Sequence, residues 1–357
     1  MAKDSKKLKL GAVGLGGVWT LAHSKPWLTH PEVEVVAVCD IIKEKAQHWA
    51  KEKNIPHAFT DYREMLKMDL DMIDICTPNI LHSEIAVAGL EAGMRVFCEK
   101  PDAVSPEEAQ KMVDAARKHK RILTVMRNNR FNPNAKFLKK YIDDGQMGDI
   151  YAARCGWIRR RGIPGKGGWF TTKALSGGGP LIDLGVHFID LTIWLMGNPR
   201  PLAISGSTYR KFAETSVSDS VHSQFGQKVA GGTFDVEDLA TGYIKFDNGA
   251  SLQIEFSWAS NIKQETVFSE LRGSKSGATL LGETALEIFT EINGTLCDIH
   301  PRFEPPALGT HGQHLYHFVD CVQGRAQPIM KPEHGVDIVK ILSAIYSSAA
   351  SGKEVHL

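Results

Sequence analysis

The chain has no apolar run approaching the ~18 residues that a membrane-crossing helix needs, and its opening residues lack the apolar core of a secretory leader. No membrane partner is expected, and a cytoplasmic location is. Charge of one sign is missing too, since 42 Lys and Arg stand against 41 Asp and Glu, leaving a formal +1. Bulk electrostatics therefore provide no reason to expect nucleic acid. The six cysteines, at 39, 76, 98, 155, 297 and 321, form no Cys-x-x-Cys pair. Three end expected buried strands, so reduced core thiols are expected, and no metal centre. Repeats and low-complexity runs are absent, and only Ser216 to Phe234 reads as a polar excursion.

What remains is the composition of a globular enzyme, with 43% hydrophobic and 23% charged residues. A length of 357 residues exceeds one ordinary core and suggests two domains, 1–128 and 129–357. In the first, apolar β-branched segments at Lys9 to Val13, Val33 to Cys39, Met72 to Cys76, Arg95 to Cys98 and Ile122 to Met126 read as strands covered on both faces. Helical patterns alternate with them at Lys43 to Lys53, Leu81 to Ala92 and Pro106 to Lys118, the last opened by a Ser105-x-x-Glu108 box. That alternation predicts a doubly wound parallel sheet, an α/β Rossmann domain.

After about Asn128 the pattern changes. A helix at Asn132 to Asp144 precedes longer alternating strands at Ile150 to Ile158, Leu202 to Tyr209, Leu239 to Phe246 and Ala250 to Trp258, then Glu287 to Ile292 and Thr295 to Ile299. Asp247-Asn248-Gly249 and Asn293-Gly294 are hairpin turns. Closing helices at Gln313 to Val322 and Glu333 to Ala350 complete an α+β domain with a mostly antiparallel open sheet.

Chemistry concentrates in a few places. Gly14-Leu15-Gly16-Gly17 follows the first strand, where glycines permit a tight turn and a close approach of backbone, from Gly16 to Val18, to a pyrophosphate. Asp40 ends the second strand, 26 residues after Gly14, where a ribose-binding acid belongs, with Ile41 next to it. Its carboxylate favours NAD and repels the extra phosphate of NADP, the lesser alternative given Lys43 nearby. Asp40 capping the following helix is the competing reading. Thr77-Pro78-Asn79 and Glu99-Lys100-Pro101 fall at the carboxyl edge of the sheet, where such folds bind ligands. Asn79 and His82 are read either as cofactor contacts or as caps of the next helix.

Asp183 and His187 are four apart in an apolar stretch from Pro180 to Gly197, so both share one helix face. Oxidising a secondary alcohol requires removal of its proton as hydride leaves, a task suited to a histidine oriented by a carboxylate. Lys100 could donate a hydrogen bond to the reacting oxygen or take part in the proton relay. The preceding Ser176-Gly-Gly-Gly179 loop fits a backbone that approaches a ligand closely. Of Arg159, Arg160 and Arg161, alternation leaves at most alternate members on one face, and a solvated basic edge is the simpler reading. Trp157 and Trp169 are read as sugar-stacking or core residues.

These motifs in this order, with Asn128-Asn129-Arg130-Phe131, Asp190 and Val236-Glu237-Asp238, resemble the glucose-fructose oxidoreductase, inositol dehydrogenase and rhizopine catabolism (Gfo/Idh/MocA) family along nearly the whole chain. The resemblance implies a Rossmann domain and a sheet-rich domain that binds sugars or cyclitols and mediates oligomerisation, as a homodimer or homotetramer. It also implies Lys100, Asp183 and His187 as the catalytic set, with Lys100 contacting nicotinamide ribose and substrate. Asn128, Asn129, Arg159 and Trp169 are further substrate-contact candidates. Trp19 departs from the pattern by replacing a small residue, and is either packing or pocket wall. The implied activity is an NAD-dependent sugar or cyclitol dehydrogenase. The alternatives are an NAD-dependent glycoside hydrolase using transient oxidation, and a silent NAD-binding regulator.

Overall fold

A computed structural model describes residues 6–214, 226–282 and 285–357. Most of the expected polar excursion at Ser216 to Phe234 therefore lies outside the described residues. Two compact units partition the chain: residues 1–126 with 311–336, and residues 127–310 with 337–357.

The first unit holds a six-stranded parallel sheet with strands β1 (Leu8–Val13), β2 (Val33–Cys39), β3 (His57–Phe59), β4 (Met72–Ile75), β5 (Arg95–Cys98) and β6 (Leu123–Val125). Their spatial order is β3-β2-β1-β4-β5-β6. Order reverses between β1 and β4, which opens a crevice at their carboxyl ends. The strands are mostly apolar because helices flank them, with Asp74 of β4 a buried exception, and the Ser105 hydroxyl accepts from the Glu108 amide to start the helix Pro106–His119. Gly14 has φ +88°, and a Cβ there would lie 2.6 Å from the Cys76 carbonyl. Only glycine lets β1 turn this close to β4.

The helix after that turn opens wide, with a π-helical turn over Trp19–His23 before the α-helix Ser24–Thr29. Pro26 has no N–H for the carbonyl four residues back, and the loosened turn carries the chain towards it. Trp19 is 0% exposed and meets Trp49 edge-on at 5.7 Å, within a core that includes Leu10, Trp27, Phe97 and Phe318. It is packing, and the pocket-wall reading is set aside.

The second unit carries a nine-stranded mixed sheet: β7 (Ile150–Ile158), β8 (Pro201–Tyr209), β9 (Leu239–Phe246), β10 (Ser251–Ser257), β11 (Thr266–Gly273), β12 (Gly277–Leu281), β13 (Ala285–Ile292), β14 (Thr295–Ile299) and β15 (Val355–His356). The order is β14-β13-β12-β11-β7-β10-β9-β8-β15, antiparallel except where β7 meets β10. Both expected hairpins form, with positive φ at Gly249, Asn293 and Gly294. Strands β11 and β12 had no counterpart in the sequence reading. Ser269 occupies a buried position of β11 and bonds the Thr192 hydroxyl at 3.1 Å, so the hydrophobic alternation is interrupted there.

The helix that bears Asp183 and His187 begins with a π-helical turn, Leu181–Gly185, and continues as the α-helix Val186–Leu195. From 178 to 196 every residue is buried except Asp183 and His187. Beneath it, Asp190 accepts from Arg127 Nε at 2.9 Å and from Arg130 Nε and Nη2 at 2.8 Å each, all three side chains being buried. Burial opposes ionisation of Asp190, but the two guanidiniums outweigh it and hold the carboxyl below its ordinary value.

Candidate active site

In the first unit, the crevice edge is built from the ends of β1, β2, β4 and β5. A Cβ placed on Gly16 or Gly17 would meet nothing within 4 Å, so the protein itself does not fill the space above this helix start. Asp40 is half-buried, and its Oδ2 accepts the Leu15 amide of the glycine loop at 2.9 Å. Its Oδ1 accepts the Ile42 amide at 2.9 Å, so the turn-capping role exists as well. Each carboxylate oxygen retains a further lone pair for a ribose hydroxyl. Ile41 beside it is 87% exposed. Thr77 Oγ1 is buried without a hydrogen-bond partner among the described residues. An open glycine cradle, a half-buried acid and an orphaned hydroxyl fit a dinucleotide held by Gly14, Gly16, Gly17, Val18, Asp40, Ile41 and Thr77.

His82 and Glu99 also make contacts within the protein. His82 is 0% exposed, and its ring nitrogens lie 2.7 Å from the Pro101 carbonyl and 3.0 Å from the Thr77 carbonyl. Whichever nitrogen carries the proton ties the ring to one of the two loops after β4 and β5. It does not cap the following helix, whose N-cap position, Leu81, has no side-chain cap. Asn79, buried, precedes it in a short 3-10 turn after Pro78. Glu99 is buried and turned inward, with Oε1 2.9 Å from His23 Nε2 and Oε2 accepting the Lys100 amide at 3.0 Å. Lys100 is half-buried on this turn.

His311, also in the first unit, lies beside this group, its ring 6.4 Å from that of His23. Burial lowers its pKa to about 4, with the charges of His23 and Lys100 acting the same way and Glu99 opposing them. Above the unfolded value near 6.5 the ring is neutral in both states. As pH falls from 6.5 to 4, the unfolded chain takes up a proton that the folded chain refuses, and stability declines. The expected loss from this ring is at most about 3 kcal/mol. Denaturant unfolding at stepped pH checks it, since His311→Gln should remove that share of the acid-side slope.

In the second unit, Asp183 Oδ2 accepts the Trp258 indole N–H at 3.0 Å, and Trp258 is itself wholly buried. The loop before the helix is held by Glu237, whose carboxylate accepts the amides of Gly179 at 2.9 Å and Leu181 at 3.1 Å and the Tyr346 hydroxyl at 2.8 Å. A Cβ at Gly178 would lie 2.0 Å from Tyr346 Oη, and one at Gly179 would lie 2.0 Å from the Glu237 carbonyl. Glu237 and Tyr346 thus require glycine at both positions. The support roles of Trp258, Tyr346 and His23 were missed in the sequence. Each is separated from its partner by 51 residues or more, and only the Val236-Glu237-Asp238 segment carried a signal.

The remaining candidates disperse over the second unit. Asn128 and Asn129 are buried in a 3-10 turn, Asn128 Nδ2 donating to Asn129 Oδ1 at 3.2 Å and Thr310 Oγ1 at 3.3 Å. Arg159 lies over the Trp157 ring, 4.4 Å from its centroid, and donates to the Gly162 carbonyl at 3.1 Å. Arg160 and Arg161 donate to the Lys263 and Ser260 carbonyls, so the triplet pins a neighbouring loop as well as meeting solvent. Trp169 stacks on Phe170 at 3.8 Å.

Comparison with known proteins agrees with this construction. The Gfo/Idh/MocA model described as an oxidoreductase family with an NAD-binding Rossmann fold matches residues 8–127, and its C-terminal alpha/beta domain matches residues 139–357. The chain belongs to the Gfo/Idh/MocA oxidoreductase family. Among relatives, D-glucoside 3-dehydrogenase of Escherichia coli strain K12 is 34% identical over 358 residues, covering 100% of this chain and 99% of its own. The NAD-linked scyllo-inositol 2-dehydrogenase of Bacillus subtilis strain 168 is 26% identical, covering 98% and 96%. A levoglucosan dehydrogenase solved with NADH and levoglucosan superposes with a TM-score of 0.84 over 98% of this chain and 99% of that one, at 24% identity, a likeness of fold. The first unit is accordingly an NAD-binding domain, and the protein an oxidoreductase.

Proposed function

We propose that the protein oxidises a secondary hydroxyl of a sugar, sugar derivative or inositol with NAD, and that a D-glucoside is the first substrate class to test. The observation that carries this reading is the pair Asp183 and His187, the two positions left partly exposed in an otherwise buried helical segment. Burying polar groups is costly, and keeping two of them at a helix surface within an apolar segment suits proton handling.

Bound NAD supplies the hydride acceptor. Of the chain's own groups, His187 takes the hydroxyl proton, Asp183 orients it, and Lys100 donates a hydrogen bond to the reacting oxygen. Trp258 holds Asp183. We further take the protein to work in the cytoplasm as a homodimer or homotetramer, a reading supported by exposed apolar side chains on the second sheet such as Phe289 and Leu296.

The test is NADH formation across D-glucosides, free sugars, anhydrosugars and inositols, with NADP in parallel. Turnover of one ring type with NAD supports the dehydrogenase, whereas glycoside cleavage without net NADH would move the assignment to the hydrolase. In the same assay, Asp40→Ala should reduce the preference for NAD over NADP by about tenfold or more, or ~1.4 kcal/mol. An unchanged preference would leave Asp40 as a turn cap alone.

A further inference from the structure

Beneath Lys100, the first unit buries a polar cluster to which the proposed chemistry assigns no role. His23, Asp74 and Trp27 are 0% exposed, and Cys76 and Glu99 are buried beside them. His23 Nδ1 lies 2.8 Å from Asp74 Oδ2, and His23 Nε2 lies 2.9 Å from Glu99 Oε1. Trp27 Nε1 donates to Asp74 Oδ2 at 2.7 Å, and Cys76 Sγ is 3.4 Å from His23 Nδ1.

A neutral imidazole donates from one nitrogen only, which would aim the other lone pair at a carboxylate. Two carboxylates, one on each nitrogen, call for two N–H donors, and therefore an imidazolium. The groups facing the ring agree. Burial disfavours its charge, but Asp74, with Cys76 acting the same way, outweighs that penalty and raises the His23 pKa well above its ordinary value. His311 is neutral near pH 7, and burial pushes the Cys76 thiol up to about 12. Donor atoms of His23, Asp74 and Cys76 lie within 4.8 Å of one another, a spacing a metal could use. A metal there would have to displace the protons of the ring and of the thiol.

We propose that His23 is a positioning residue, a ring that donates from both nitrogens and pins Glu99 Oε1 so that Oε2 holds the Lys100 amide, presenting the lysine from a rigid turn. The importance of that turn rests on the reading of Lys100 as part of the catalytic set. Without the imidazolium, Asp74 and Glu99 would be two buried carboxylates with no cation between them. One would take up a proton, and the grip on the Lys100 amide would loosen.

Two arms test this on the full chain. Nitrogen-15 spectra of histidine-labelled wild-type protein should show one of the fourteen rings with both nitrogens still protonated at about pH 8, above the ordinary histidine value. If none of the fourteen does so, the proposal is overturned. In His23→Gln, amide exchange over residues 95–102 should rise, and kcat should fall about 10²-fold with KM for NAD little changed. Unchanged exchange with unchanged kcat would overturn the positioning role. The wild-type spectrum needs neither a variant that folds nor a substrate, so it judges the clamp even if no sugar is oxidised. Failure of the sugar panel would count against the reading of Lys100 alone.

Discussion

His187→Ala is expected to lower turnover by ~10² to 10⁴ while NAD binding persists, the range for a lost general base. That corresponds to about 3 to 5 kcal/mol of transition-state stabilisation. The argument rests on the environment of the side chain. His187 follows Asp183 by one turn, and the two interrupt a segment whose other members are all buried. A histidine serving only as packing would be enclosed like its neighbours Val186 and Phe188. The residues that fit the dinucleotide are all carried by the first unit, and His187 by the second, so affinity for NAD, read by quenching of intrinsic fluorescence, should be retained. Unchanged turnover would remove His187 from the mechanism and leave Lys100 as the acid/base.

Asp190→Ala carries the largest expected loss of stability, about 3 to 5 kcal/mol, because it leaves two buried guanidiniums without their shared carboxylate. Arg127 and Arg130 are both nearly fully buried, and Arg130 also lies over the Trp194 ring, 5.4 Å from its centroid. Their burial keeps bulk solvent from replacing Asp190. Thermal unfolding of wild type and variant measures the effect. A midpoint unchanged within error would mean that the cluster relaxes to solvent at no cost. Charge matters here more than shape, so Asp190→Asn should recover only part of the loss.

Much of this architecture is legible in the residues. Apolar β-branched runs alternating with capped helices specify a sheet covered on both faces, and Asn293-Gly294 specifies its hairpin because both positions take positive φ. The glycine loop, Asp40, Lys100 and the Asp183–His187 pair could be placed from spacing and edge position alone. What could not be read depends on partners distant in sequence. The pairing of Glu99 Oε1 with His23, 76 residues earlier, has no local signal. His82 looks like a helix cap until its nitrogens are found on two loop carbonyls. The wide turn at Leu181–Gly185 leaves no trace because a spacing of four keeps Asp183 and His187 on one face in either helical form. Strand β11 is obscured by Ser269, a polar residue at a buried position whose partner, Thr192, lies 77 residues away.

The central claim is direct hydride transfer from a sugar carbon to NAD. Its most direct test supplies a D-glucoside deuterated at its ring secondary carbons and follows the nicotinamide by mass spectrometry. The account predicts NADH that carries one deuterium, formed in step with one keto-sugar. Turnover of the glycoside with an unlabelled cofactor and no keto product would contradict it.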